Sequence, residues 1–294
     1  MRMNYVSKIQ ANLNRYEVIK TNKATSNVLD GSYASVFKGK SLNFDELREY
    51  VTGDDVKDID WKASSRSGKI LVRQFVAEKK HNIMFVFDTN RRMLANSRNH
   101  DEKRELAIMA AGTLALFVNR NNDYISATYA TSDSFAHFPF KTGLANIELM
   151  LEDYHRAVTM ENYSDLNRAL EYIIKNYRRR MVVIIVSDLE GLRGISDINL
   201  KRIRVMNDVL MINVRDADLG GDRQYDLGEN AYLGDFFSKD KKLRRIAVEE
   251  KERLDRECDA KLTRHGIVCA NIDSIPGIEK EILSMLNKHK LEKR

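Results

Sequence analysis

Short apolar runs recur between amphipathic stretches from about residue 81 onward. Three of these runs are almost entirely apolar, rich in β-branched residues and bounded by polar positions. They are residues 83–87, 181–186 and 209–214. Runs of this kind are typical of strands that are buried on both faces, as in a parallel sheet covered by helices.

Two further runs predict a pair of neighbouring strands. Residues 124–130 and 135–140 are joined by a Thr-Ser-Asp-Ser turn. Because proline cannot donate a main-chain hydrogen bond, Pro139 predicts that the second of these strands lies at an edge of the sheet.

Helical patterns fill the segments between the strands. Residues 101–118 open with acidic side chains and are otherwise mostly apolar, which predicts a buried helix. Residues 165–177 carry apolar side chains on one face. Residues 239–264 predict a long, highly charged helix, and Pro276 opens a last helix that extends to residue 290. The apolar side chains expected beneath the charged helix are Leu243, Ile246, Ala247, Leu254 and Leu262.

Strands that alternate with helices predict an α/β fold with a doubly wound, mostly parallel sheet. We place this domain at residues 80–294 and a smaller mixed segment, packed on it, at residues 1–79. In such sheets, ligands bind at the carboxyl ends of the central strands, near the point where the strand order reverses. Polar residues stand at two of these ends, around Asp88 and Asp188.

Composition restricts the class of protein. The 294 residues are 43% hydrophobic and 31% charged, which is typical of a soluble globular protein. The net charge of +6 is small and dispersed, so we expect no nucleic-acid partner. Two cysteines make no disulfide framework, and residues 106–118 are too short to span a membrane. With no signal-peptide pattern at the start, these features predict a cytoplasmic protein without a membrane span.

Four aspartates between residues 54 and 60 raise the question of a metal loop or an acid/base pair. An EF-hand loop needs alternating ligands, a central glycine and a closing glutamate, and Gly53 instead precedes the carboxylates. A structural role accounts for more residues of this stretch than a metal loop or an acid/base pair does. Asp54 or Asp55 would cap a short helix that Gly68 ends, and a strand at residues 70–76 would follow.

This structural interpretation also assigns a role to the only tryptophan of the chain. We expect Trp61 to be buried against the α/β domain. We also expect Asp60 to pair with Arg48, Arg66 or Arg73 across the contact.

The same stretch closely resembles the signature of the bacterial domain of unknown function 58, and the resemblance extends over about residues 16–290. In that family the signature precedes a von Willebrand factor A-like domain. The matching residues are Phe44, Arg48, Glu49, Tyr50, Gly53, Asp54, Asp55, Ile59, Asp60, Trp61, Ser65, Arg66, Gly68, Leu71, Val72 and Arg73. Members are often encoded beside MoxR-type AAA+ ATPases, so the resemblance implies an adaptor protein with such an ATPase as its partner.

In von Willebrand A-like domains, an Asp-x-Ser-x-Ser motif with a later Thr and Asp holds a divalent cation that binds a partner's carboxylate. By this resemblance Asp88 keeps the first ligand, Asn90 and Arg92 replace the two serines, Ser164 stands for the threonine, and Asp188 supplies the last carboxylate. We expect these five residues to form a partner-binding surface. If Mg²⁺ binds, its ligands would be Asp88, Asn90, Ser164 and Asp188.

Arg92 opposes a metal at this position because a guanidinium carries a positive charge and cannot act as a ligand. Two hypotheses for the arginines follow. Either Arg92, or failing it Arg91, serves as a built-in cation between Asp88 and Asp188, or both arginines point to solvent.

No motif for a catalytic site emerges from the sequence. The six histidines are scattered without a HExxH pattern, and the GxSxG and phosphate-loop patterns are absent. We expect no catalytic residues and no cofactor. The leading interpretation is a non-enzymatic adaptor, and the alternative is a metal-dependent hydrolase that uses the aspartates at the strand ends.

Overall fold

The computed structural model describes residues 4–19, 46–74, 80–97, 99–131, 133–216, 224–226, 231–233 and 241–292. Its strands are β1 (Glu46–Glu49), β2 (Leu71–Gln74), β3 (Asn82–Phe87), β4 (Tyr124–Ala130), β5 (Phe135–Lys141), β6 (Val182–Ser187), β7 (Asp208–Val214), β8 (Gln224–Asp226), β9 (Ala231–Leu233) and β10 (Val268–Ile272). Its α-helices are α1 (Tyr5–Ile19), α2 (Trp61–Ser67), α3 (Lys103–Arg120), α4 (Leu144–Ala157), α5 (Leu166–Asn176), α6 (Leu189–Gly194), α7 (Asp197–Met206), α8 (Lys241–His265) and α9 (Ile278–Glu292). Short 3₁₀ turns lie at Val56–Asp58, Arg91–Leu94 and Ile275–Gly277.

Six strands form the central sheet in the order β10-β7-β6-β3-β4-β5. All neighbours are parallel except β4 and β5, which form the predicted antiparallel pair with β5 at the edge. Counting only these six strands along the chain, the order is that of a doubly wound sheet whose first strand, β3, is central. The α/β fold class predicted from the sequence is confirmed.

One edge strand was not anticipated. β10 pairs with β7 in parallel, and its residues alternate between buried and partly exposed. The strand contains Cys269 and Asn271, so it lacks the continuous apolar run that identified the central strands. An edge strand that is half covered leaves this weaker pattern.

Helices cover both faces of the sheet and divide the core into two clusters. Successive residues of β3 alternate between them, as the pleat requires. Phe85 packs on the face covered by α1, α3, α4 and α9, and Val86 packs on the face covered by α5, α6, α7 and α8. The helices predicted at residues 101–118, 165–177, 239–264 and 276–290 correspond to α3, α5, α8 and α9.

Helix α1 belongs to the core of the sheet domain although it lies within residues 1–79. Tyr5 and Ile9 are buried, and a Cβ placed on Gly112 of α3 would lie 2.3 Å from Ile9 Cδ1, so the two helices are in close contact. The Glu148 carboxylate accepts hydrogen bonds from the main-chain N–H groups of Tyr5 and Val6 at 2.7 Å each. These bonds satisfy donors at the start of α1 that the helix itself leaves free.

Residues 46–74, which we call the signature unit, contain the antiparallel pair β1 and β2, a 3₁₀ turn and α2. Asp55 accepts from the Lys57 N–H at 3.0 Å, but this bond caps the 3₁₀ turn and not the helix that Gly68 ends, so the predicted cap of that helix is wrong. Gly68 ends α2 in a left-handed conformation (φ 69°), and its predicted position at the end of the helix is confirmed. Asp60 caps α2 by accepting from the Ala63 N–H at 3.0 Å.

The prediction that Trp61 is buried against the α/β domain is wrong. Its side chain is 64% exposed. Trp61 is the first residue of α2, and the side of this short helix that turns inward carries the small residues Ala63 and Ser64. Arg48, one of the arginines expected beside Asp60, instead forms two hydrogen bonds with Asp54, at 2.6 and 2.7 Å. The side chain of Arg73 lies outside the described part of the unit.

The charged helix α8 is only partly as predicted. Leu262 is buried and Leu254 packs against the core, but Ile246 is exposed, contrary to expectation. The side chains of Leu243 and Ala247 lie outside the described part. Within the described ranges, no helix has the length and apolar character needed to cross a membrane.

Candidate functional site

Asp88 and Asp188 meet at the centre of the sheet because they follow neighbouring parallel strands. Phe87 of β3 is in register with Val186 of β6, and the Asp88 N–H donates to the Val186 carbonyl at 2.9 Å. This is the point where the strand order reverses. It is the location expected for a ligand site in a doubly wound sheet.

Arg92 lies against both carboxylates. Asn90 caps the 3₁₀ turn at Arg91–Leu94 by accepting from the Arg92 N–H at 3.0 Å, which turns the chain back over the strand ends. The guanidinium then contacts Asp188 at 3.2 and 3.4 Å and Asp88 at 3.5 Å. The contacts of the built-in cation hypothesis are confirmed for Arg92, whereas Arg91 stacks over the Tyr163 ring.

Lys103 is a second cation, which the sequence analysis missed. It is the first residue of α3 and is completely buried. Its ammonium lies 2.8 Å from Asp188 Oδ2 and also contacts Asp216, just beyond β7. One signal was present in the sequence. A lysine at the N-terminus of a helix is weakly disfavoured by the helix dipole, and a nearby anion would offset this cost.

Short contacts surround Asp88. Its Oδ2 accepts from the Ser187 hydroxyl at 2.5 Å, and its Oδ1 accepts from the Asn90 N–H at 2.9 Å. Its main-chain carbonyl accepts from the buried Tyr154 hydroxyl at 3.0 Å. A Cβ on Gly191 would lie 2.0 Å from Ser187 Oγ and 2.4 Å from Asp88 Oδ2, so only glycine fits at the start of α6.

The two carboxylates have opposite protonation tendencies. Burial, and secondarily the charge of Asp188, raises the pKa of Asp88. Burial also acts to raise the pKa of Asp188, but Lys103 and Arg92 outweigh it, so the Asp188 pKa falls well below its ordinary value. Burial acts to lower the pKa of Lys103, but Asp188 and Asp216 outweigh it and the pKa is raised. Asp188 and Lys103 therefore form a buried ion pair.

A cavity of about 140 Å³ opens beside these groups, and its lining includes Asp88, Asn90, Arg92 and Ser164. The Ser164 Oγ is buried and makes no hydrogen bond with any described residue. Asp88 and Asp188 are themselves at most 1% exposed, whereas the Arg92 side chain is 35% exposed. Arg92 is thus the charged member of the predicted set that reaches solvent.

The residues present do not fit a divalent cation. Arg92 and Lys103 already contact the carboxylate oxygens that would coordinate a metal, and neither cationic group can act as a ligand. Across the described ranges, no group of three or more His, Cys, Asp or Glu side chains is placed to hold a metal ion. We call Asp88, Arg92, Lys103 and Asp188 the strand-end cluster.

The family model described as "Protein of unknown function DUF58" matches residues 46–230. This chain belongs to the DUF58 family. The DUF58 match begins at the first residue of β1 and therefore includes the signature unit as well as most of the sheet. The predicted family membership is confirmed.

Curated relatives of this DUF58 chain include the uncharacterized proteins Rv1480 of Mycobacterium tuberculosis and Mb1516 of Mycobacterium bovis. Each is 28% identical over 198 residues, which is 64% of this chain and 60% of the relative. The chain thus matches about three fifths of the length of these relatives.

Solved structures that are similar to the chain include the following two. An aerotolerance-related membrane protein from Bacteroides fragilis aligns with a TM-score of 0.48 and 15% identity, over 71% of this chain and 99% of that one. A von Willebrand factor type A protein from Catenulispora acidiphila aligns with a TM-score of 0.36 and 12% identity, over 73% and 43%. The fold assignment itself depends on the strand order and register described above.

Proposed function

We propose that this DUF58 protein is a non-enzymatic protein-interaction adaptor with a degenerate metal-ion-dependent adhesion site. The observation that carries the proposal is the strand-end cluster. Its two carboxylates occupy the usual ligand position of a doubly wound sheet, but protein cations balance them. Because this balance is built into the chain, binding to a partner would need no metal.

The same geometry disfavours the alternative hydrolase. A general base must reach the proton that it removes, and Asp88 and Asp188 are shielded from solvent. Asp188 is also held as the anion of an ion pair, with Lys103 on one side and Arg92 on the other. No described histidine lines the cavity to replace them.

Direct contact with a partner would be made by the residues that line the cavity. Arg92 and Glu190 stand at the cavity, with Asn90 and Ser164 lining it. Asp88 and Asp188 are buried and contribute by holding the Arg92 guanidinium in place. The partner we propose is a MoxR-type AAA+ ATPase, which the family resemblance implies. We place the interaction in the cytoplasm, where the free thiols Cys258 and Cys269 would stay reduced.

The test uses the full chain and the purified MoxR-type ATPase of its host. Binding is measured by pull-down and by the ATPase rate with ATP, with ADP and without nucleotide. Arg92→Gln should weaken binding because it removes the cationic group that reaches solvent at the cavity, whereas Lys201→Glu on α7 is an exposed control that should leave it unchanged. Absence of binding in every nucleotide state would contradict the partnership. Turnover of ester or phosphoester substrates that is lost in Asp88→Ala would favour the hydrolase.

A further inference from the structure

Exposed apolar side chains concentrate on the signature unit. Trp61, Val51, Val56, Ile70 and Leu47 are all exposed there, while Val72 is its only fully buried large apolar side chain among those described. A two-stranded sheet with one short helix gains little stability from so small a core. Exposing an indole and four aliphatic side chains therefore does not serve the folding of the unit, and it is typical of an interaction surface.

The outward face of α2 combines the indole with positive charge. At 3.6 residues per turn, Trp61, Lys62, Ser65 and Arg66 fall within an arc of about 140°. All four are exposed, whereas Ala63 and Ser64, on the opposite side of the helix, are partly buried. The indole and the two positive charges of α2 therefore lie on the same exposed face of the helix.

The positive charges on this face are not neutralised within the described part of the unit. The four acidic side chains of the unit that the structure describes are engaged elsewhere: Asp54 pairs with Arg48, Glu49 pairs with Lys69, Asp55 caps the 3₁₀ turn and Asp60 caps α2. Lys57, Lys62 and Arg66 form no ion pair with any described residue, although all three are exposed. An apolar group is thus flanked by cationic side chains that lack partners among the described residues.

We propose that Trp61 and Val56, with Lys57, Lys62 and Arg66 around them, form a docking surface for an acidic protein segment that carries an apolar anchor. Tryptophan and arginine are the residues that most often dominate the binding energy of protein interfaces. The anchor would cover the indole, and carboxylates beside it would pair with the three cations. This surface is separate from the strand-end cluster and does not depend on its proposed role.

Charge favours a protein over the other candidate occupants. The surface carries three cationic side chains within a unit of six acidic and six basic side chains, which is fewer than the cluster of about four to eight Lys and Arg that typically binds an anionic membrane. A protein segment can instead match the three cations individually. A second copy would present the same cationic face to itself across a two-fold contact, which places like charges together.

The single tryptophan supplies the measurement. The probes are synthetic amphipathic peptides of about 16 residues, with leucines at helical spacing and glutamates on both flanks. A matched peptide carries lysines in place of the glutamates. Titrating the glutamate peptide into the full-length protein should shift Trp61 emission to shorter wavelength and protect it from iodide quenching. The lysine peptide should leave the emission unchanged.

Variants distinguish binding at this surface from non-specific binding elsewhere on the protein. Lys62→Glu/Arg66→Glu should weaken binding of a labelled glutamate peptide by about tenfold or more, since two surface attractions become repulsions. Trp61→Ala should weaken it similarly. The matched controls, Lys201→Glu/Arg202→Glu and Val205→Ala on the exposed face of α7, should bind like the wild type. Circular dichroism melts confirm that all variants remain folded.

Four results would overturn the proposal. The first is equal binding of both peptides, and the second is no binding of the glutamate peptide at millimolar concentration. The third is a blue shift of the emission that grows with protein concentration while sedimentation shows a dimer. The fourth is an emission shift with phosphatidylserine vesicles but not with the peptide. The third result would assign the surface to a second copy. The fourth would assign it to a membrane.

Discussion

Lys103 Nζ lies 2.8 Å from Asp188 Oδ2, and neither side chain is more than 1% exposed. The lysine begins a helix and the aspartate ends a strand, 85 residues apart in the chain. Their ion pair joins α3 to the centre of the sheet and neutralises the carboxylate that would otherwise be suited to a metal. Arg92 closes the same site from the solvent side.

Lys103→Met should destabilise the protein by about 3–5 kcal/mol, because it leaves a buried carboxylate without its main partner. Urea unfolding measures the change. Lys8→Met is a matched control that removes an exposed lysine 2.8 Å from Glu105, and it should cost less than about 1 kcal/mol. Equal losses of unfolding free energy for both variants would show that the buried ion pair contributes no more to stability than an exposed one.

The two aspartates should respond differently to the same isosteric change. Asp188→Asn leaves buried Lys103 with only Asp216, and should cost about 3 kcal/mol or more. Asp88→Asn removes a repulsion with Asp188 and keeps the shape of the side chain, so it should stay within about 1 kcal/mol of the wild type. Comparable losses in urea unfolding would contradict the opposite protonation tendencies of the pair.

Those tendencies also predict a pH dependence. The folded-state pKa of Asp88 is raised above 3.8, so the folded state holds the proton more tightly, and wild-type stability falls as pH rises from 3.8 through the raised value. The stability of Asp88→Asn relative to wild type should therefore increase as pH rises from 3.8 through the raised folded-state pKa.

The pKa of Asp188 is shifted in the opposite direction to that of Asp88. Its folded-state pKa is lowered, so its contribution is complete above 3.8 and is lost only as pH falls through the lowered value. The Asp188 carboxylate itself should therefore add no pH dependence above 3.8, and Asp188→Asn should remove only the part of the Asp88 dependence that the Asp188 charge causes. A parallel drift of both variants would argue against this assignment.

Metal should not affect the wild-type protein. Its melting temperature should be the same in chelator and in millimolar Mg²⁺ or Mn²⁺, since Arg92 and Lys103 already balance the carboxylates. Arg92→Ser/Lys103→Met removes both cations and introduces a hydroxyl, so this variant should be less stable and should regain melting temperature when either metal is added. Stabilisation of the wild type by Mg²⁺ would reinstate a metal site.

Gly191→Ala should disrupt the site because the new methyl group would collide with Ser187 and Asp88. We expect a loss of about 1–3 kcal/mol in thermal or urea unfolding. Gly194→Ala, three residues further along α6, meets no atom within 4 Å and should be neutral or slightly stabilising. If both substitutions have the same effect, the close approach at Gly191 is not a constraint.

Trp61→Ala should change the free energy of unfolding by no more than about 0.5 kcal/mol, because the indole is exposed. Val72→Ala, in the same unit, should cost about 2 kcal/mol because Val72 is buried. A large loss for Trp61→Ala in denaturant unfolding would mean that the indole is covered in the free protein.

The sequence by itself determined the features that depend on neighbours along the chain. Apolar runs on both faces identified the central parallel strands, and Gly68 showed its role at the end of α2 because a cap acts on main-chain groups within the same turn. Asp88 and Asp188 could be placed at strand ends, and parallel strands bring their carboxyl ends to one edge. The resemblance to the family added the hypothesis that Arg92, or failing it Arg91, would serve as a cation between them.

Tertiary structure decided the features that depend on distant segments. Lys103 looks like a surface residue of a helix end until the carboxylates after β6 and β7 are brought beside it. Trp61 looks like a core residue by its chemistry, yet only the packing of α2 determines whether another segment covers it. Hydrophobic pattern and capping are encoded locally, whereas the burial of one charge or one indole depends on what the folded chain places against it.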